Sequence, residues 1–277
     1  MSEAHTPGYR PHPIRVGAVN YLNSKPLIEG LADLAPSIEL HLDFPSRLAD
    51  RLAQGELDVA LIPSVSCLGN PHYEIASDAC VATRGKVLSV KLYSRVPIRQ
   101  IKTLALDVGS RTSAALSRIL LAERYHVLPQ LQPLPFGLST RESNADAVLL
   151  IGDRAIPQPE ESFTEVWDLG EEWTNWTGLP FVFAMWATRR GTDLGTVEEA
   201  LSAARDRGLE KVREIAVRES AILNLTHQLV HEYLTQNLYF YLGPEERRGL
   251  QRYYQLAVKQ GLAPEGIPLV FRNCAAA

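Results

Sequence analysis

Three nearly continuous apolar runs, each passing directly into a polar turn and a helical stretch, constrain this chain more than any other feature. They are Ile14 to Val19, Asp58 to Pro63 and Thr103 to Val108. A strand that does not alternate apolar with polar residues is covered on both faces. Several such strands separated by helices point to a largely parallel sheet in an α/β protein. Ile38 to Asp43 predicts another strand. Pro45-Ser46 opens a helix with Leu48, Ala49 and Leu52 on one face, closed by Gly55. A helix is predicted to begin after Ser24, tolerate Pro26 in its first turn and run to about Ala35. Val87 to Tyr93, Ala147 to Ile151 and Phe181 to Trp186 predict further strands, and residues 112–125 a helix. From residue 196 onward the pattern is helical, at 196–207, 209–218, 220–236 and 244–260. The expected architecture is two α/β lobes, one from residues 14–92 plus 190–277 and the other from 93–189, behind a flexible leader at 1–13. Two short crossings, near 90–97 and 184–191, would serve as the hinge.

Composition narrows the class of partner. The 277 residues include 28 Lys and Arg against 32 Asp and Glu, a net charge of −4 with the two signs mixed. No basic stripe or tail recruits nucleic acid. Cys67, Cys80 and Cys274 are odd in number and widely spaced, which argues against a disulfide framework or a zinc site and fits a reducing cytoplasm. The first thirteen residues lack the apolar centre of a secretion signal, and no apolar run is long enough to cross a bilayer. The expectation is a soluble cytoplasmic protein, monomer or homodimer, with a small molecule as its partner and neither nucleic acid nor membrane.

Ligands of open α/β sheets bind beyond the carboxyl ends of the strands. Four polar clusters fall there: Asn20, Asn23 and Ser24 after the first run; Ser64 and Ser66 after the next; Gly109, Ser110, Arg111, Thr112 and Ser113 after Val108; and Gly152 with Asp153. If the lobes face each other, these clusters line one cleft. The turn at 109–113 offers a glycine, three hydroxyls, a guanidinium and unpaired helix N–H groups, all suited to a carboxylate or phosphate. The same serines and threonines also serve as plain helix caps. Asn20 and Asn23 either contact ligand or bond their own backbone. Arg111 either forks onto a carboxylate or pairs with an acid. Ser89 is expected on a crossing strand, facing the cleft or bonding within the sheet, and no Gly-x-Ser-x-Gly elbow surrounds it. Trp167, Trp173 and Trp176 suggest core packing, with Thr177 offering a hydroxyl nearby. His227 and His231 stand four apart on a predicted helix, but no third ligand accompanies them and a structural pair is favoured. No Walker loop or Gly-x-Gly-x-x-Gly turn indicates a nucleotide.

Several runs together closely resemble the chorismate dehydratase family of the futalosine route to menaquinone. They are Val16-Gly17-Ala18-Val19-Asn20-Tyr21-Leu22-Asn23-Ser24-Lys25-Pro26-Leu27, Gly55 to Pro63, Ser110-Arg111-Thr112-Ser113, Leu150-Ile151-Gly152-Asp153 and Trp176 to Phe183, in that order. The resemblance implies a type II periplasmic-binding-protein-like fold used as an enzyme, its lobes closing on a small anion. It implies loss of water from chorismate to give 3-[(1-carboxyvinyl)oxy]benzoate, with no metal or organic cofactor. It also implies catalytic roles for Asn23 and Ser89. Asn20, Ser64, Ser66, Gly109 to Ser113, Gly152, Asp153 and Thr177 are then the expected substrate contacts, with Asp153 or the substrate's own carboxylate as the proton acceptor.

The alternatives are a sister enzyme of the same pathway that forms 1,4-dihydroxy-6-naphthoate, a non-catalytic small-anion binding protein, and a ligand-sensing regulator domain. The Asn-Tyr-Leu-Asn and Thr-Gly-Leu-Pro runs favour the dehydratase over its sister. Without a signal peptide an exported binder is disfavoured, and without a helix-turn-helix so is a regulator.

Overall fold

The apolar runs become the inner strands of two mixed sheets in a computed structural model that describes residues 12–266 and 268–272. Most of the expected leader and Cys274 lie outside the described residues. In chain order the strands are β1 (Ile14–Val19), β2 (Ile38–Asp43), β3 (Val59–Pro63), β4 (Tyr73–Thr83), β5 (Val90–Ser94), β6 (Thr103–Asp107), β7 (Gln130–Leu134), β8 (Ala147–Ile151), β9 (Glu165–Asp168), β10 (Phe181–Arg189) and β11 (Tyr239–Tyr241). The helices are α1 (Leu31–Leu34), α2 (Pro45–Gln54), α3 (Ser64–Cys67), α4 (Thr112–Tyr125), α5 (Leu169–Thr177), α6 (Val197–Glu210), α7 (Val212–Leu223), α8 (His227–Glu232) and α9 (Pro244–Lys259). The first sheet has the order β11-β4-β10-β3-β1-β2 and the second β7-β6-β8-β5-β9. In the first, β1 runs parallel to β2 and β3, while β10 lies antiparallel to β3 and β4. In the second, β6 runs parallel to β7 and β8, and β5 antiparallel to β8 and β9.

The chain changes sheet earlier than expected. It crosses between β4 and β5, at residues 84–89, and returns between α5 and β10, at 178–180. The strand β10, expected in the second lobe up to residue 189, is therefore a central strand of the first sheet, and residues 90–92 belong to the second. The reason is packing: Phe181 touches Trp173 of α5 and Tyr253 of α9 at ring-centroid distances of 5.2 and 4.9 Å, so β10 enters the first sheet within the aromatic core.

Three further elements depart from expectation. The helix predicted from Ser24 to Ala35 is a 3₁₀ segment, Leu22–Ile28, followed by the single turn α1; Pro26 sits inside the first piece and Gly30, at φ 66°, separates the two. The longest strand, β4, lies in a stretch rich in Ala, Ser and Asp, whose strand preference is low; its place between β10 and β11 overrides propensity. The helix predicted over 220–236 breaks at Asn224 (φ 53°), resumes as α8 and ends in a π-helical turn, Tyr233–Asn237, before β11.

Candidate active site

Local chemistry fixes the segment that follows β1. The Ser24 hydroxyl donates to the carbonyls of Val19 and Tyr21, closing the turn and leaving Asn23 to face the space between the lobes. Behind it, α6 presents Gly208, where any Cβ would stand 2.0 Å from the Pro26 carbonyl oxygen. Only glycine admits that close backbone approach. From the second lobe, the Asp153 carboxylate accepts the Leu22 N–H at 2.9 Å. Burial lifts the Asp153 carboxyl to about 6, against the opposing pull of that hydrogen bond.

The crossing strand is held as firmly. Asp168 caps α5, accepting from the N–H groups of Gly170 and Glu171, and reaches across to accept from Val87 at 2.9 Å and Leu88 at 2.7 Å. Leu88 sits at φ 64°, a left-handed conformation uncommon for a branched residue. This kink delivers Ser89 to the start of β5, where its carbonyl accepts the Gly152 N–H at 2.9 Å. The Ser89 side chain is fully buried, and its Oγ accepts a hydrogen bond from the Tyr233 hydroxyl at 2.8 Å. Tyr233 is also fully buried; burial raises its pKa, while the Asn23 side-chain amide acts in the opposite direction, as does Ser89. Asn23 Oδ1 is buried without a protein partner.

Asn23, Ser89, Ser110, Arg111, Thr112, Ser113 and Gly152 thus converge on one cleft between the lobes, enclosing about 520 Å³ of space partly open to solvent. Val19, Val81, Val87, Ile151 and Phe183 supply an apolar lining, and among the described residues Arg111 is the one charged residue that lines it. Among the described residues no Asp, Glu, His, Lys or Cys does so. At the start of α4 the Ser110 hydroxyl accepts the Ser113 N–H at 3.1 Å. Arg111 pairs with Asp50 of α2 at 2.6 Å, joining the two lobes.

The other expected contacts lie elsewhere. Asn20 is exposed, and its N–H donates to the Asp43 carbonyl. Ser64 is spent on the Val182 carbonyl at 2.8 Å and on Thr112. Ser66 Oγ is buried without a partner but away from the cleft lining. Gly109 donates to Asp107 Oδ1 and passes its carbonyl to the Ser46 N–H. Asp153 is turned toward Leu22, and Thr177 closes the end of α5 on the Trp173 carbonyl. Ser64, Asp153 and Thr177 are thus taken up by backbone partners, near or distant, a role that competes with ligand contact. Among the described residues no three His, Cys, Asp or Glu side chains gather as a metal site.

Two contributors escaped sequence reasoning. Tyr233 lies in a π-helical turn that no local pattern announces. Asp168 was legible only as a helix cap, and its grip on Val87 and Leu88 depends on the fold. Tyr21 packs its ring on Gly152, where a Cβ would lie 2.7 Å from the ring. Burial pushes its phenol well above the ordinary range.

A family model described as menaquinone biosynthesis matches residues 14–259. The chain belongs to that family. A protein named chorismate dehydratase from Thermus thermophilus is 34% identical over 259 residues, covering 87% of this chain and 94% of the relative. Another of that name from Campylobacter jejuni is 24% identical over 243 residues, covering 88% and 93%. Among solved structures, AF1704 from Archaeoglobus fulgidus superposes with a TM-score of 0.70 at 17% identity, over 92% of this chain and all of that one. The Candida albicans CA3427 product, described as having the generic periplasmic binding protein fold, gives 0.60 at 17% identity over 92% of each. These likenesses show the fold: two lobes, each a mixed sheet flanked by helices, with the cleft between them.

Proposed function

We propose that this protein dehydrates chorismate to 3-[(1-carboxyvinyl)oxy]benzoate in menaquinone biosynthesis, with Asn23 and Ser89 as the catalytic side chains. The observation that carries the reading is that the asparagine after β1 and the serine of the crossing strand meet in a cleft lined, among the described residues, by no carboxylate, imidazole or amine side chain. Family membership and the two relatives named chorismate dehydratase support it over a naphthoate-forming sister enzyme or a simple binder.

The chemistry suits such a lining. The C3 hydrogen of chorismate is acidified through the ring alkene conjugated to the ring carboxylate. Removing it turns the C–H electron pair into a C3=C4 double bond as the C4–O bond breaks, and the ring becomes aromatic. With no base among the lining side chains, the proton passes to the substrate's own enolpyruvyl carboxylate and leaves with the departing hydroxyl as water. The protein's part is to hold and polarise. The start of α4, with Ser110, Thr112, Ser113 and Arg111, is suited to one carboxylate, and Gly152 brings its backbone to the opposite wall.

No helix among the described residues is long and apolar enough to cross a membrane. We read the enzyme as cytoplasmic, in keeping with Cys67, a buried thiol outside any disulfide. Incubation with chorismate tests the function: the expected product is an aromatic acid lighter by one water. Binding without turnover would overturn the reading.

A further inference from the structure

We propose that Tyr233 is a positioning residue that fixes the hydrogen-bond polarity of the site, making Ser89 a donor and Asn23 an acceptor toward the substrate. The inference rests on the dehydratase reading and deepens it.

A phenol has one proton to give, and here it goes to Ser89 Oγ at 2.8 Å. The Tyr233 side chain is completely buried, and burial raises its pKa far above neutrality, so the phenol stays a donor at any working pH. Ser89 Oγ has therefore accepted its protein bond. Its own proton is left to point into the cleft that Ser89 lines. The Asn23 amide is oriented from the same hydroxyl. The Asn23 side chain favours the charged form of that hydroxyl, as an N–H facing it does and a carbonyl oxygen would not, so Oδ1 is turned elsewhere. Oδ1 is buried without a protein partner, on a residue that lines the same cleft. A buried acceptor without a donor is costly in the absence of ligand, and the group that relieves it must carry an O–H or N–H.

The substrate's groups sort themselves accordingly. Chorismate has a single O–H, on C4, while its two carboxylates and its enol ether only accept. Asn23 Oδ1 therefore takes the C4 hydroxyl, and the Ser89 hydroxyl takes a carboxylate. One tyrosine on the late helical segment sets both, although it touches neither reacting carbon. The π-helical turn over residues 233–237 is the local distortion that seats Tyr233 behind them.

Steady-state kinetics on Tyr233→Phe, Ser89→Ala and the double variant test this, using full-length protein and chorismate. The expected result for Tyr233→Phe is a fall in kcat of at least about tenfold with KM changed less than about threefold, because the ring still fills its place. The double variant should lose clearly less than the product of the two single losses, since part of the phenol's effect passes through the serine and the rest through Asn23. Tyr233→Phe within about twofold of wild type, or losses that multiply in the double variant, would overturn the role of Tyr233. Should Tyr233→Phe fail to fold, the 4-deoxy-4-fluoro analogue of chorismate reads the polarity on the wild-type enzyme. It is nearly isosteric but cannot donate, so its inhibition constant should exceed the KM for chorismate by about tenfold or more, and equal values would sink the proposal. Wild-type protein that forms no aromatic product overturns the dehydratase reading itself, whereas normal wild-type turnover beside an unaffected Tyr233→Phe removes only Tyr233.

Discussion

Asp153, at the end of a strand in the second lobe, accepts the backbone N–H of Leu22 in the first at 2.9 Å, one residue before Asn23. A carboxyl group thus ties one half of the molecule to the turn that carries a catalytic side chain in the other.

That tie is pH-sensitive. Burial raises the Asp153 carboxyl to about 6 from an ordinary 3.8. Because the folded value is the higher one, the favourable contribution is complete below about pH 4 and is lost as pH rises through about 6. Asp153→Asn keeps an oxygen for Leu22 but cannot ionise. The variant should be more stable than wild type at pH 8, by an amount on the order of 3 kcal/mol, and indistinguishable from it near pH 4. Urea denaturation at the two pH values measures the difference.

Asn23 is half-buried, and its side chain faces the cleft rather than the core. Asn23→Ala should reduce turnover of chorismate by at least about a thousandfold while shifting the thermal midpoint by only a few degrees. Near-normal turnover would remove Asn23 from the mechanism.

Gly152 stands at φ 74°, ψ −161°, a region all but closed to other residues, with the Tyr21 ring against it. Gly152→Ala should destabilise the protein by about 1–3 kcal/mol and raise KM about tenfold or more, because Tyr21 must swing out of the cleft wall. Tryptophan fluorescence during thermal unfolding and initial-rate kinetics report the two effects separately.

Arg111 and Asp50 bridge the lobes at 2.6 Å, but their side chains are 39% and 55% exposed. Exposed pairs contribute little to stability, under about 1 kcal/mol. Arg111→Ala should therefore leave the unfolding midpoint nearly unchanged while raising KM for the doubly charged substrate. The wild-type KM should rise with ionic strength more steeply than that of the variant.

Asp168 satisfies four backbone N–H groups, two in its own helix and two in the crossing segment before Ser89. Asp168→Ala should cost about 2–4 kcal/mol in urea unfolding and also lower kcat, since the kink at Leu88 loses its clamp. A stability loss with unchanged kcat would confine Asp168 to a capping role.

The sequence by itself determined the inner strands β1, β3, β6 and β8, the helices α2 and α4, and the clustering of polar turns at strand ends. These follow from burial on both faces, helical periodicity and capping, which are local properties of consecutive residues. It also marked Asn23 and the stretch Ser110–Ser113, because the runs containing them match a family as runs, and Ser89 by its place on the crossing strand. Only the tertiary structure decided that β10 crosses into the first sheet, that Ala-rich β4 is a strand, and that Ser64 and Thr177 serve the backbone. Only it brought Tyr233 behind Ser89. Strand membership and hydrogen-bond partners far apart in the chain depend on which surfaces close against each other, and no window of neighbouring residues contains that information.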